Sequence, residues 1–235
     1  ECHGKDFGGG TMVDGPAIGR MLGPNLTEGE GSVTLGYTMA DWDRIVRHGI
    51  RRDGKPAVMP SEDFLYMSDR ELSDIVAYVR SVPAVDGSVD ERSLGPLGAF
   101  LMAMGEFKLS CDNEHLDHGA AHEMEPPDEA PDATYGKHIA QVCSGCHRSG
   151  FEGGPIPAGP PDWAPAANLT PHEDGLAGWT YEDFTTALQE GKRKDGTPFA
   201  KPMDLIPPYA QQMTEVELQA LWAFLQSLEA KPDPS

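Results

Sequence analysis

The sequence predicts an all-α protein made of two tandem small domains, residues 1–83 and 134–230, joined by a long irregular linker over residues 84–133. Two patterns lead to this prediction. Landmark residues of the first half recur in the same order in the second half, and several segments carry apolar residues at helical spacing. The 27 Gly and 21 Pro favour small, loop-rich units over one large sheet, and no strand pattern is visible.

Each half contains a middle helix and a C-terminal helix at corresponding positions. The predicted C-terminal helices, residues 68–81 and 214–228, each begin at an S/T-x-x-E capping box and carry apolar residues on one face. The predicted middle helices span residues 39–48 and 181–190. A helical stretch over residues 135–142 leads into the second half, and we expect each C-terminal helix to pack across the first helix of its domain.

The linker is predicted to hold one short helix followed by a long acidic stretch. Apolar residues at helical spacing between residues 95 and 105 predict an amphipathic helix, which either packs between the domains or docks another subunit. Residues 112–132 are acidic and contain prolines, so we expect an extended segment without regular structure.

Charge and hydropathy argue against a nucleic-acid partner and against a membrane-spanning helix within these residues. With 18 Lys+Arg against 38 Asp+Glu, the formal net charge is -20 at pH 7, which argues against nucleic-acid binding. The longest apolar stretch, residues 97–104, is far shorter than the ~20 residues that a membrane-spanning helix needs.

The main chemical signal is the C-x-x-C-H motif at residues 143–147. On a helix, Cys143 and Cys146 lie one turn apart, so each can form a thioether to a haem vinyl group while His147 reaches the iron. A redox C-x-x-C pair or half of a zinc site are the alternatives. The sequence has no second C-x-x-C to complete a zinc site, and the adjoining His favours haem.

An internal repeat extends this signal to the first half. Met59 follows His3 by 56 positions, and Met203 follows His147 by the same 56. Between these anchors both halves share a Phe, a Gly pair, an Asn-Leu-Thr element, a Thr after an aromatic residue, and an Asp-Gly turn. The shared elements are Phe7 and Phe151, Gly9-Gly10 and Gly153-Gly154, Asn25-Leu26-Thr27 and Asn168-Leu169-Thr170, Tyr37-Thr38 and Trp179-Thr180, and Asp53-Gly54 and Asp195-Gly196.

This pattern resembles a diheme member of the cytochrome c family, similar to the multihaem cytochrome c subunits of membrane-bound alcohol and gluconate dehydrogenases. The resemblance implies two class I-like haem domains and two covalently bound haem c groups. It also implies that a Met from a loop before the last helix completes each iron's coordination. The residues that it assigns are Cys2, Cys143 and Cys146 as thioether residues, and His3 with Met59 and His147 with Met203 as axial pairs.

The first motif is incomplete, because the position equivalent to Cys143 falls two residues before Glu1. Either the first haem is held by Cys2 alone or further residues precede Glu1. We expect the latter, because no helix leads into Cys2. Such residues would supply the second Cys and could include a signal sequence or membrane anchor.

Other methionines and linker residues leave alternatives open. Met67 and Met213 also recur, but each precedes a capping box and is expected to pack as a hydrophobic staple. Cys111 could replace a Met ligand on one iron, as the Cys ligand of diheme thiosulfate dehydrogenases does. The linker histidines could likewise ligate an iron or another metal, whereas three other histidines are expected to be structural or solvent-facing. The linker histidines are His115, His118 and His122, and the other three are His48, His138 and His172.

Six-coordinate His/Met iron has no open position for substrate, so the resemblance implies electron relay rather than catalysis. Covalent haem attachment implies a location in the periplasm or on the outer face of the cytoplasmic membrane. Redox proteins are the expected partners, at least one of them with a basic docking surface, and the expected setting is a respiratory, photosynthetic or dehydrogenase electron-transfer chain. The alternatives are a haem enzyme, such as a thiosulfate dehydrogenase or peroxidase, and a structural subunit whose haems mainly support folding.

Overall fold

The structure of the protein, a computed structural model, describes residues 2–87, 93–104, 116–156 and 163–234. Cys111 and His115 lie outside the described residues. The chain divides into two compact units, Glu1–Glu125 and Pro126–Ser235. In the described ranges, no helix is both long enough and apolar enough to cross a bilayer.

The first unit contains a three-stranded antiparallel sheet, so the prediction of an all-α fold is wrong. The sheet has the order β1 (Gly10–Gly15), β2 (Gly19–Gly23) and β3 (Ser93–Leu94). The register of β1 against β2 shifts between Thr11 and Val13, which marks a β-bulge and interrupts the alternation of side chains. Short strands that are bounded by glycines and interrupted by a bulge show no period-two pattern. The sequence of residues 10–23 therefore has the character of a glycine-rich loop and does not predict strands.

Both helices predicted in the first unit are present, and the first ends two residues before its predicted end at residue 48. Helix α1 (Met39–Val46) starts after Thr38, and α2 (Asp69–Ser81) starts at the predicted capping box of Ser68 and Glu71. The apolar faces of these two helices meet in one core. Its buried members are Trp42, Val46, Leu72, Val76 and Val79.

The segment after α2 contains the predicted short helix, α3 (Pro96–Ala103), which packs against β2. Residues 116–132 have no helix or strand, as predicted. This part of the chain is nevertheless fixed onto the start of α2. The amide of Asp69 donates to the carbonyl of Glu123 at 2.9 Å, and the amide of Arg70 donates to the carbonyl of Met124 at 3.1 Å.

Among the described residues of the second unit, the regular elements are helices, and two isolated β-bridges join Gly154 to Ala166 and Lys192 to Pro198. The predicted helices over residues 135–142, 181–190 and 214–228 are confirmed. In chain order, its elements are α4 (Ala133–Ala140), a 3-10 turn (Gln141–Cys143), α5 (Ser144–His147), α6 (Tyr181–Glu190), a 3-10 turn (Met203–Leu205), α7 (Pro207–Ala210) and α8 (Glu215–Ser227).

Helix α8 packs across α4, which confirms the predicted contact between the last and first helices of this unit. The backbones approach closely at Gly136, where a Cβ atom would clash with the carbonyl oxygen of Ala220. Glycine is therefore required at this crossing. Leu221, Phe224 and Leu225 of α8 are buried in the adjoining core.

Candidate functional site

The C-x-x-C-H motif lies at the end of a helical segment formed by α4, the 3-10 turn and α5. Cys143 and Cys146 are half-buried one turn apart, and His147 is the last residue of α5. Its side chain is 7% exposed. The helix ends here because the next residue, Arg148, has a positive φ of 64° and an extended ψ of 166°.

The ring of His147 is oriented by the backbone. Its Nδ1 lies 2.7 Å from the carbonyl oxygen of Ala167. Because a carbonyl only accepts, Nδ1 carries the proton and the neutral ring keeps a lone pair on Nε2. Burial lowers the pKa of His147, although the hydrogen bond to Ala167 opposes this shift. A neutral, oriented imidazole with a free Nε2 is the form that binds a metal.

His3 is held in the same way in the first unit. Its Nδ1 lies 2.9 Å from the carbonyl oxygen of Pro24, and its side chain is half-buried. The residue after it, Gly4, has a left-handed φ of 75°, as Arg148 does after His147. The repeat therefore reproduces the orientation of the histidine, not only its place in the sequence.

The backbone that follows each histidine has the same hydrogen-bonding pattern. Phe7 and Phe151 both adopt left-handed φ, at 59° and 61°. Each unit closes the turn after its histidine and then pairs the Phe carbonyl with the Asn-Leu-Thr element. The bonds are Gly9 N to His3 O and Leu26 N to Phe7 O in the first unit, and Gly153 N to His147 O and Leu169 N to Phe151 O in the second.

In each unit, the Asn-Leu-Thr element forms hydrogen bonds to the residues that follow the C-terminal helix. Asn168 Oδ1 accepts from the amide and the hydroxyl of Thr170, and its Nδ2 donates to the carbonyl of Lys231 at 2.8 Å. Asn25 and Thr27 make the equivalent bonds, with the carbonyl of Val85 as the outer acceptor at 2.6 Å.

The two predicted axial methionines occupy equivalent loops. Both are half-buried, and both come shortly after a short β-bridge, Ile50 with Pro56 in the first unit and Lys192 with Pro198 in the second. Met59 also packs against the core of its unit. Ligation by Met59 and Met203 stays a prediction.

The residues around the second motif fit a c-type haem. Two half-buried thiols one turn apart and a buried imidazole with a free Nε2 are the donor set that such a haem requires. Large apolar side chains near the predicted site residues in the sequence are exposed: Val142, next to Cys143, at 62%, and Leu205, two residues after Met203, at 48%. A bound porphyrin would cover apolar surface of this kind.

Sequence reasoning missed the groups that orient the two histidines. The acceptors are main-chain carbonyls of Pro24 and Ala167, and any residue type can supply a carbonyl. The Asn-Leu-Thr repeat was the available signal, because it directly follows both acceptors.

Comparison with known proteins agrees with this site. Residues 133–229 match the sequence model of the cytochrome c family. The chain is 27% identical over 254 residues to the cytochrome c subunit of a quinone alcohol dehydrogenase from Gluconacetobacter polyoxogenes, with 98% of this chain and 52% of the relative covered. The cytochrome c subunit of gluconate 2-dehydrogenase from Pantoea cypripedii is 24% identical over 261 residues, with 98% and 56% covered.

A cytochrome subunit of fructose dehydrogenase from Gluconobacter japonicus is 23% identical over 255 residues, covering 99% of this chain and 50% of the relative. The chain thus spans about half the length of these relatives. The predicted resemblance to cytochrome c subunits of alcohol and gluconate dehydrogenases is confirmed. A cytochrome c domain implies covalently bound haem c.

Proposed function

Because residues 133–229 form a cytochrome c domain, we propose that this chain is a diheme c-type cytochrome that relays electrons between redox partners of a dehydrogenase complex. The observation that carries the proposal is the matched pair of histidine sites. His3 and His147 each donate Nδ1–H to a backbone carbonyl, and each precedes a Met by 56 positions.

In this proposal residues 1–83 and 134–230 are tandem haem domains, and residues 84–133 connect them. Cys2, Cys143 and Cys146 hold the porphyrins by thioether bonds. The equivalent loop geometry after both histidines supports the same arrangement in each unit.

Bound haem c supplies an iron that cycles between ferric and ferrous states and so carries one electron. The carbonyls of Pro24 and Ala167 fix the tautomer of His3 and His147 with the proton on Nδ1, so that Nε2 of each ring would serve as the proximal donor. Met59 and Met203 would fill the remaining axial positions. Their thioethers favour the reduced iron and leave no position for substrate, which suits relay rather than catalysis.

The proposed setting is the periplasm or the outer face of the cytoplasmic membrane, where c-type haems are attached. The names of the relatives support an assembly with a dehydrogenase, because each is a cytochrome subunit of one. The net charge of -20 favours a redox partner with a basic docking surface and an encounter rate that falls with salt.

The axial ligands are tested by replacing each Met with Ala and recording the near-infrared charge-transfer band of Met-ligated ferric haem. We expect Met59→Ala and Met203→Ala each to remove about half of the band intensity, because each abolishes one of two iron–sulfur bonds.

Met67→Ala and Met213→Ala are the matched controls, because these methionines also recur between the halves but precede capping boxes. We expect both controls to keep the full band. Full intensity in Met203→Ala, or equal loss in Met213→Ala, would refute the assignment.

A further inference from the structure

Outside the haem motifs, the first unit brings together one aspartate and three histidines. Asp43 lies on α1, and His48 follows two residues after the helix ends. His118 and His122 lie in the irregular segment that is fixed onto the start of α2. The chain brings these side chains together from positions up to 79 residues apart, Asp43 to His122.

Three of these side chains offer ligand atoms at metal-binding range. One oxygen of Asp43 and one ring nitrogen each of His48 and His122 all lie within 4.8 Å of one another. The Nε2 atom of His48 is 3.8 Å from Oδ2 of Asp43. The ring centroids of His48 and His122 are 6.0 Å apart.

The groups behind the ligands orient them toward a common point. Arg47, which is 2% exposed, donates from Nη1 to Oδ1 of Asp43 at 2.7 Å and leaves Oδ2 facing His48. On the other side, Nδ1 of His48 lies 3.0 Å from Nδ1 of His118. When His48 donates in that bond, its Nε2 lone pair faces the carboxylate of Asp43. Two acceptors facing each other are stabilised by a cation between them.

His122 supplies an independent observation. Its Nε2 atom is buried and has no hydrogen-bond partner among the described residues. A buried nitrogen without a partner costs free energy, and coordination to a metal would remove that cost. The backbone next to His122 is fixed, because the carbonyls of Glu123 and Met124 accept hydrogen bonds from the first two amides of α2.

We propose that Asp43, His48 and His122 bind a divalent transition-metal ion of the Zn²⁺ type, with His118 positioning His48. Two imidazoles and one carboxylate are a common donor set for such ions. Ligand bonds of about 2.0–2.2 Å bring donor atoms to within about 4 Å of one another, so binding needs only small side-chain rotations. Burial lowers the pKa of His48, although the nearby carboxylate of Asp43 opposes this shift. The ion would tie the segment around His122 to α1.

The test is calorimetric titration of the chelator-treated full chain with Zn²⁺. We expect one site per chain that His122→Ala weakens about 100-fold or more, because a ligand is lost. His118→Ala should weaken it about 10–100-fold, the range for a group that orients a ligand. Zn²⁺ should also raise the melting temperature of the parent chain but not that of His122→Ala.

His172→Ala is the matched control, because His172 also lies 3.2 Å from an aspartate, Asp174, but belongs to the second unit. It should bind Zn²⁺ as the parent does. His122 lies in an irregular segment outside the core, so its replacement should leave the haem spectrum unchanged. Unaltered Zn²⁺ affinity in His122→Ala would overturn the proposal, because the bound ion would then lie at another site.

Discussion

At the scale of single residues, the motif and the repeat predicted the two histidines but not what orients them. His147 donates to Ala167 and His3 donates to Pro24, and these partners are main-chain atoms. The sequence marks neither acceptor, because a carbonyl carries no side-chain identity. The sequence also does not predict the proposed metal site at Asp43, because the segment that contains His122 has no periodic pattern.

Asn168→Ala should destabilise the second unit by about 2–4 kcal/mol. The substitution removes bonds to the amide and hydroxyl of Thr170 and to the carbonyl of Lys231, and it takes away the acceptor of the buried Thr170 amide. Denaturant unfolding measures the change. Gln212→Ala, which removes one bond from an exposed side chain to Pro208, should cost less than about 0.5 kcal/mol. Equal losses in the two variants would contradict the proposed role of Asn168.

Asp63 should make stability depend on pH. Its Oδ1 is buried without a partner among the described residues, and burial, with a smaller effect of Glu62, raises its pKa from 3.8 to about 6. The folded state therefore binds this proton more tightly than the unfolded state. The stability contributed by protonated Asp63 is fully present below about pH 4 and is lost as the pH rises to about 6.

Asp63→Asn should consequently stabilise the protein by about 1 kcal/mol at pH 7 and by nearly nothing at pH 4. The expected gain is modest because the carboxyl group keeps some contact with water. Chemical unfolding at the two pH values measures it, with the exposed Asp128→Asn as control. The same gain at both pH values would show that the ionisation of Asp63 is not the cause.

At the scale of elements, local sequence signals predicted the helices and failed for the strands. Capping boxes at Ser68 and Thr214 fix helix starts through side chains close in sequence. The pairing of β1 with β2 carries a bulge, and β3 joins from about 70 residues further along the chain, so no local pattern records the sheet.

The repeat also does not make the two C-terminal helices equivalent. Counted from the shared Glu-Leu pair, Ile75 and Tyr78 of α2 correspond to Leu221 and Phe224 of α8. Leu221 and Phe224 are buried in the second unit, where α8 packs across α4. In the first unit, Ile75 is 42% exposed and Tyr78 is 61% exposed. Packing partners, rather than the repeated sequence, decide which face is covered.

Gly136→Ala should destabilise the second unit by about 2–3 kcal/mol. Alanine favours a helix by up to about 1 kcal/mol, but the added methyl group would clash with the Ala220 carbonyl and push α4 from α8. Thermal or denaturant unfolding measures the net effect. Gly15→Ala is the matched control, because nothing lies within 4 Å of the added methyl group. A stabilised Gly136→Ala variant would mean that the two helices do not cross this closely.

At the scale of the whole molecule, the central claim is that both units carry haem. Residues 133–229 match the cytochrome c family. For the first unit, the claim depends on the internal repeat and on the orientation of His3, which matches that of His147. The sequence predicted two sites because an equal His-to-Met spacing occurs twice. It could not predict the sheet of the first unit, whose strands β1 and β2 lie between His3 and Met59.

The most direct measurement is the number of haems per chain, from a pyridine haemochrome assay combined with the intact mass of the purified protein. Two covalent haem c groups per chain are expected, one of them lost in His3→Ala together with its share of the Soret absorbance. One haem per chain, unchanged in His3→Ala, would contradict the diheme relay and restrict electron transfer to the unit that contains His147.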